Sequence, residues 1–303
     1  MKQIKNNRVL WTTSFILIIL FWILLGSSLI NIYAKLLYRI NGNNAFMKGE
    51  LYQYIGANIP FISIWLGFYF CFKYINNIKL SKLINNKGTF DFQLFKKIFI
   101  FSICFFTVVI TMGYFLKFYD LEFIKNNNIQ RLILIPFTLI LTPLQVIAEE
   151  ILFRAILLKI FIKDYERFKN QKNALLYSIG ISVVIGIIFV LPHLFNPEVD
   201  AYFISAIAYY FIFGSLATFS ILVTGGLEIS IAIHLANNFI ITFFSTYENS
   251  ALASIPLFIQ TNEIPFTKYF ETIALIVLFL IIGYKLRDRI SNYLYYKSNT
   301  NSK

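Results

Sequence analysis

The chain has 303 residues, of which 58% are hydrophobic and only 14% charged, with a mean hydropathy of +0.67 and a net charge of +12. An ordinary soluble domain carries roughly 25% charged residues, so a soluble globular protein is a poor reading and a bilayer, itself an apolar solvent, a good one. The positive charge does not point to nucleic acid, because Lys and Arg fall between apolar runs rather than in a patch on a polar domain.

A spanning helix needs about 20 mostly apolar residues. Taken in chain order, such runs lie near 9–31, 53–76, 97–117, 130–160, 174–195, 201–224, 228–246 and 268–286. The first follows a basic tail (Lys2, Lys5, Arg8), as a secretory leader does. It outruns a leader's apolar core of about 7–15 residues and shows no small-x-small cleavage site, so it is expected to stay as an anchor. Polar clusters such as Asn76-Asn77-Ile78-Lys79 and Lys163-Asp164-Tyr165-Glu166-Arg167 separate several runs. The pattern predicts an all-α, polytopic transmembrane bundle of about eight helices. It forms one domain over 1–303, without an internal repeat or an inserted soluble domain.

The stretch 287–303 is polar and is expected to fray. Cys71 and Cys104 sit in apolar runs without metal-ligand spacing and suggest no disulfide framework. The link Thr224-Gly225-Gly226-Leu227 is so short that the sixth and seventh helices must be antiparallel neighbours. With both termini placed in the cytoplasm, most of the 27 Lys and Arg residues fall on the cytoplasmic side of a cell membrane, which is the bias that orients multi-pass proteins.

Against this background some residues are out of place. A charge at the centre of a membrane helix costs roughly 2.5–3.5 kcal/mol on insertion scales. The fourth helix nevertheless carries three ionisable groups in Ala148-Glu149-Glu150-Ile151-Leu152-Phe153-Arg154. Glu150 and Arg154 are at i and i+4, on one face and in the favourable order for an ion pair. Glu149 points about 100° away, so Arg154 does not satisfy it. A desolvated carboxyl without a direct cation is what a general acid or base requires.

The chain has two histidines, and both join this picture. His193 ends the fifth helix in Phe189-Val190-Leu191-Pro192-His193, and His234 lies in the seventh with Asn238 one turn on, sharing its face. Each feature alone has a bland reading as packing glue or an interhelical hydrogen bond. Together they add cost with no structural benefit in view.

At these residues the chain resembles the CAAX-protease and bacteriocin-processing family of intramembrane glutamic endopeptidases, the Rce-type enzymes. That family shows Glu-Glu-x-x-x-Arg, Phe-x-x-x-His and His-x-x-x-Asn on successive helices. Here these are Glu149-Glu150 with Arg154, Phe189 with His193, and His234 with Asn238. The resemblance covers about 130–245, the expected catalytic core, and includes the Thr-Gly-Gly-Leu turn. Ala155 departs from it, standing where the family usually has Gly.

The resemblance implies a role for each residue. Glu149 activates water with help from His193, His234 and Asn238 stabilise the oxyanion, and Glu150 and Arg154 support them. The implied substrate is a peptide or protein at the lipid bilayer, and no cofactor is needed. A zinc site built from two His and one carboxylate is a minority alternative, disfavoured by the lack of His-Glu-x-x-His. The family's processing of prenylated C-termini, and its links to bacteriocin maturation or self-immunity, bound the biology. The Lys-, Asn-, Ile- and Phe-rich composition suggests a low-GC bacterium, where a prenylated substrate is less expected.

Two other classes compete: a non-catalytic immunity or scaffold protein binding another membrane protein, and a transporter or proton relay. The transporter reading is weakened by the absence of an inverted repeat. Depth raises a difficulty for any site. At about 1.5 Å per residue, Glu149 lies roughly 20 Å and His193 roughly 30 Å from the loop at 163–172, whereas His234 lies only about 9 Å from the start of its own helix. The three agree only if the Gly225-Gly226 turn dips into the bilayer or the helices tilt strongly.

Overall fold

The computed structural model describes residues 8–41, 49–86, 88–125, 128–162, 171–252, 254–264 and 266–286. The N-terminal tail before Arg8, the basic loop at 163–170 and the tail at 287–303, on which the orientation and fraying expectations rest, lie outside the described residues. Among the described residues the fold is an all-α, polytopic bundle with one small sheet. Seven helices are long and apolar enough to cross a bilayer: α1 (Arg8–Ile40), α2 (Glu50–Ile75), α3 (Phe92–Phe115), α4 (Ile129–Phe161), α5 (Lys172–Phe195), α6 (Phe203–Thr224) and, last in the chain, a helix at Thr267–Lys285. Between α6 and that last helix lies α7 (Glu228–Phe244), apolar but shorter; the helix at Thr267–Lys285 is therefore α8. The expectation of about eight helices thus resolves into seven full spans and one short one. The protein is a multi-pass membrane protein.

Of the eight, α7 is the most enclosed. From Glu228 to Ala236 every residue is buried, and the helix packs against α3, α4 and α6. A helix of that length covers only about 25 Å at 1.5 Å per residue, less than the roughly 30 Å apolar layer. The connector between α2 and α3 accounts for the shortfall. It folds back under the bundle with a single helical turn, Ser81–Ile84, whose Leu83 joins the core. The backbone N–H of Asn86 donates to the Gly225 carbonyl at 2.9 Å, and the N–H of Leu227 to that of Ile84 at 2.9 Å. Gly225 takes φ 81°, a left-handed conformation that favours glycine. Glu228 then accepts from the Asn85 side chain at 2.5 Å and from the Asp91 N–H at 2.9 Å. The turn is therefore a buried joint roofed by the connector, and α7 need not reach the membrane surface there. The turn thus sits inside the protein.

Two glycines set the neighbouring crossing. A Cβ on Gly214 of α6 would lie 3.0 Å from the Gly186 Cα of α5 and 3.0 Å from the Phe189 Cβ. Only small residues allow that approach, the usual device for tight helix pairs in lipid. The crossing presses Phe189, and with it the end of α5, against α6.

The helical reading of the sequence contains no strand, yet the loops on one side of the bundle form a three-stranded sheet. Strand β1 (Asp120–Phe123) pairs antiparallel with β3 (Phe258–Thr261), and β2 (Ser245–Tyr247) pairs parallel with it, in the order β1-β3-β2. Arg131 ties the sheet to α4 by donating to the carbonyls of Ile124, Ile255 and Pro256. Because β2 continues directly from α7, the sheet lies on the face opposite the roofed turn. Cys71 and Cys104 are both free, the first buried and the second exposed.

Candidate active site

Glu149 and Glu150 end the regular part of α4. The next turn, Ile151–Ile156, is π-helical and wider than an α-turn, a feature often found beside functional sites. The two adjacent carboxylates meet different surroundings. Glu150 and Arg154 are both 0% exposed, and Arg154 Nη1 lies 2.9 Å from Glu150 Oε1. The ion pair read from the i, i+4 spacing is present despite the widened turn. The guanidinium carbon sits 3.8 Å from the Phe189 ring centroid and 5.3 Å from that of Phe213. The cation is thus held by one carboxylate and two aromatic faces.

Glu150 has a second partner that spacing does not reveal. His234 Nδ1 stands 2.8 Å from the same Oε1. The carboxylate can only accept, so Nδ1 carries the hydrogen and Nε2 is turned away from the knot. That nitrogen lies 3.8 Å from Glu149 Oε2, too far for a direct hydrogen bond. Glu149 itself accepts from the Gln145 side chain at 3.1 Å, one turn earlier on α4.

Glu149, His193, His234 and Asn238 all line one cavity of about 290 Å³. Its wall is apolar towards α1, α2 and α3, at Trp22, Phe61, Phe106 and Ile110, and polar towards the sheet face. His193 lies in a tight 3₁₀ turn, Leu191–Phe195, opened by Pro192. Its Nδ1 is 2.7 Å from the Phe189 carbonyl; that oxygen can only accept, so the ring donates there and leaves Nε2 as an acceptor. Asn238 Oδ1 accepts from Asn237 Nδ2 at 3.2 Å, which leaves the Asn238 amide nitrogen to donate.

Several lining residues escaped the sequence reading. Tyr209 donates to Asn237 Oδ1 at 3.0 Å, completing a relay that orients Asn238. Tyr210 packs its ring against His193 with centroids 4.1 Å apart, and its hydroxyl donates to Glu198. Glu198, buried, also accepts from the Ala251 N–H at 3.0 Å. A signal existed for the tyrosines, adjacent hydroxyl-bearing rings inside an apolar span. There was none for Glu198, which directly after Asn196 and Pro197 reads as an ordinary loop carboxylate.

Among the described residues, no three His, Cys, Asp or Glu side chains are grouped closely enough to hold a metal ion. The arrangement can instead place a carboxylate, two imidazole nitrogens and an amide donor around one point inside the bundle.

Comparison with known proteins finds a family likeness over the same segment. Residues 131–240 match the family model described as type II CAAX prenyl endopeptidase Rce1-like. This part of the chain is similar to that family. The match runs from the start of α4 into α7 and so takes in Glu149, Glu150, Arg154, His193, His234 and Asn238. A curated relative from Bacillus subtilis (strain 168), described as the uncharacterized protein YyaK, is 35% identical over 157 residues. The aligned part is 51% of this chain and 49% of that relative, so the chain spans about half the length of the curated protein it matches. No solved structure matches the chain.

Proposed function

We propose that the protein is an intramembrane endopeptidase that hydrolyses peptide bonds of membrane-associated peptides or proteins with a glutamate-activated water. The observation that carries this reading is the convergence of Glu149, His193, His234 and Asn238 on one cavity within the Rce1-like core. In this scheme Glu149 takes a proton from water as the water attacks the scissile carbonyl, and later returns it to the leaving amine. His193 accepts the water's second hydrogen through Nε2. Asn238 donates to the developing oxyanion through its amide nitrogen.

The role of His234 carries a condition. Because Glu150 accepts from Nδ1, Nε2 can donate to the oxyanion only when the ring holds both protons, whereas Asn238 donates in either state. Glu150 and Arg154 act at one remove, by holding His234 and the widened turn in place. No cofactor enters the scheme. We further propose a cell-membrane location with both termini cytoplasmic, and residues 130–245 as the catalytic core of one domain.

The test is cleavage of a quenched fluorescent peptide library by purified protein in liposomes, comparing wild type with Glu149→Gln, each with and without a chelator. Activity that survives the chelator and is lost in the variant supports the scheme. Activity abolished by the chelator moves the chemistry to zinc. No wild-type cleavage, with an unchanged cellular phenotype for the variant, favours an immunity or scaffold role in which the same fold binds another membrane protein.

A further inference from the structure

The cavity does not end at the four polar residues. It continues towards the sheet, where Ser245, Tyr247, Gln260, Lys268 and Glu271 also line it. Two features of that end are costly unless something uses them. Gln260 is only 3% exposed. Its Nε2 donates to Ser245 Oγ at 3.2 Å, but its Oε1 has no hydrogen-bond partner among the described residues. A buried acceptor without a donor is a rare and expensive feature. Lys268 is likewise 3% exposed. Its Nζ lies 3.1 Å from Glu271 Oε2 and 3.5 Å from the Tyr247 ring centroid, and an ammonium has three N–H groups.

Ser245 and Tyr247 are i and i+2 on β2, so they share one face of the strand. Gln260 touches the first and Lys268 the second. The acceptor and the cation therefore stand at successive positions along one side of an edge strand that runs straight on from the helix bearing Asn238. Their chemistry fits an uncharged ligand. Glu271 pairs with Lys268 and offsets its charge, which leaves no surplus positive charge for a carboxylate.

We infer that Gln260 and Lys268 form a substrate subsite that grips one residue of an extended chain by the N–H and C=O that share its edge, Gln260 Oε1 accepting the N–H and Lys268 Nζ donating to the carbonyl. This rests on the peptidase reading above and adds where the substrate lies. From Asn238 to Ser245 the helix advances roughly 10 Å, which an extended peptide covers in about three residues. The gripped residue is thus about three residues from the scissile bond, on the sheet side.

Binding, rather than turnover, tests this. The probe is a fluorescent acetylated, amidated tripeptide of leucine, phenylalanine and leucine, alone or lengthened by three alanines at either end. It is titrated onto the full-length Glu149→Gln chain in liposomes. Lengthening at one end is expected to tighten binding about tenfold, and replacing the outermost amide of that extension by an ester, which removes its N–H, is expected to undo the gain. In the Glu149→Gln/Gln260→Met double variant the ester should make no difference, which separates a lost contact from a folding defect.

Equal affinity for short and lengthened probes, or an ester effect of the same size with and without Gln260, would overturn the subsite. The same probes given to the wild-type chain keep the two ideas apart. Binding that shows the length and ester effects without any cleavage would leave the subsite standing and remove the peptidase reading. Cleavage without those effects would do the reverse.

Discussion

The knot of Glu150, Arg154 and His234 and the open wall of Glu149, His193 and Asn238 share two helices and even adjacent residues, yet they are built on opposite terms. In the knot both carboxylate and guanidinium are fully buried, and the ring and the guanidinium meet on the same oxygen. On the wall each group has one protein partner and keeps one polar atom towards the cavity: Glu149 is held by Gln145, His193 by the Phe189 carbonyl and Asn238 by Asn237. The difference shows how a membrane protein can tolerate so many ionisable groups. One set is paired internally through Glu150 Oε1 and fixes geometry, although Glu150 Oε2 and the Arg154 nitrogens have no hydrogen-bond partner among the described residues, while the other faces the cavity. Residues that look equivalent in sequence, Glu149 beside Glu150, are thereby given separate duties.

Substitutions sharpen or break that contrast. The largest effect is expected from Glu149→Gln, which should lower kcat by about 10³-fold, within the range of general acid–base catalysis, while thermal stability in detergent stays close to wild type. Next come Glu150→Gln and Arg154→Met, each of which strands a buried partner. They should cost about 3–5 kcal/mol of stability, seen as loss of folded yield and a lowered melting temperature. If either variant expresses normally with full activity, the knot is not a support. Asn238→Ala should leave folding intact and reduce kcat by about 10²-fold, the usual penalty for one lost oxyanion donor. Gly214→Ala should destabilise by about 1–3 kcal/mol through overpacking against Gly186 and Phe189.

The smallest effect lies outside the spans. Burial holds the Glu263 carboxyl above its usual range, although Lys268 acts in the opposite sense. Its folded pKa being raised, the unfolded chain loses that proton first. The group's contribution to stability is therefore full below the unfolded pKa and declines as pH rises through the folded one. Glu263→Gln should flatten the fall in melting temperature with pH over that window.

Much of this was legible in the chain. Apolar run lengths gave the helices because lipid forces each span to satisfy its own backbone. The i, i+4 rule placed Glu150 on Arg154, and the Glu-Glu-x-x-x-Arg, Phe-x-x-x-His and His-x-x-x-Asn spacings pointed to Glu149, His193, His234 and Asn238, four of the residues that line the cavity. The rest depended on contacts between distant segments. Nothing local predicts that Glu150 also receives His234 from another helix, or that Asn85 and Asp91 cap Glu228 and sink the Gly225-Gly226 turn. The sheet was invisible for the same reason: its strands are three or four residues long and come from separate loops. The Tyr209–Asn237–Asn238 relay needed two helices to be brought side by side.

The most direct measurement is peptide cleavage per folded molecule by wild type, Glu149→Gln and Glu150→Gln, reconstituted together in liposomes and assayed with a chelator present. The account predicts an active wild type, a folded but inactive Glu149→Gln, and a Glu150→Gln whose loss appears first as unfolded protein. A Glu149→Gln chain that cleaves at the wild-type rate would contradict it.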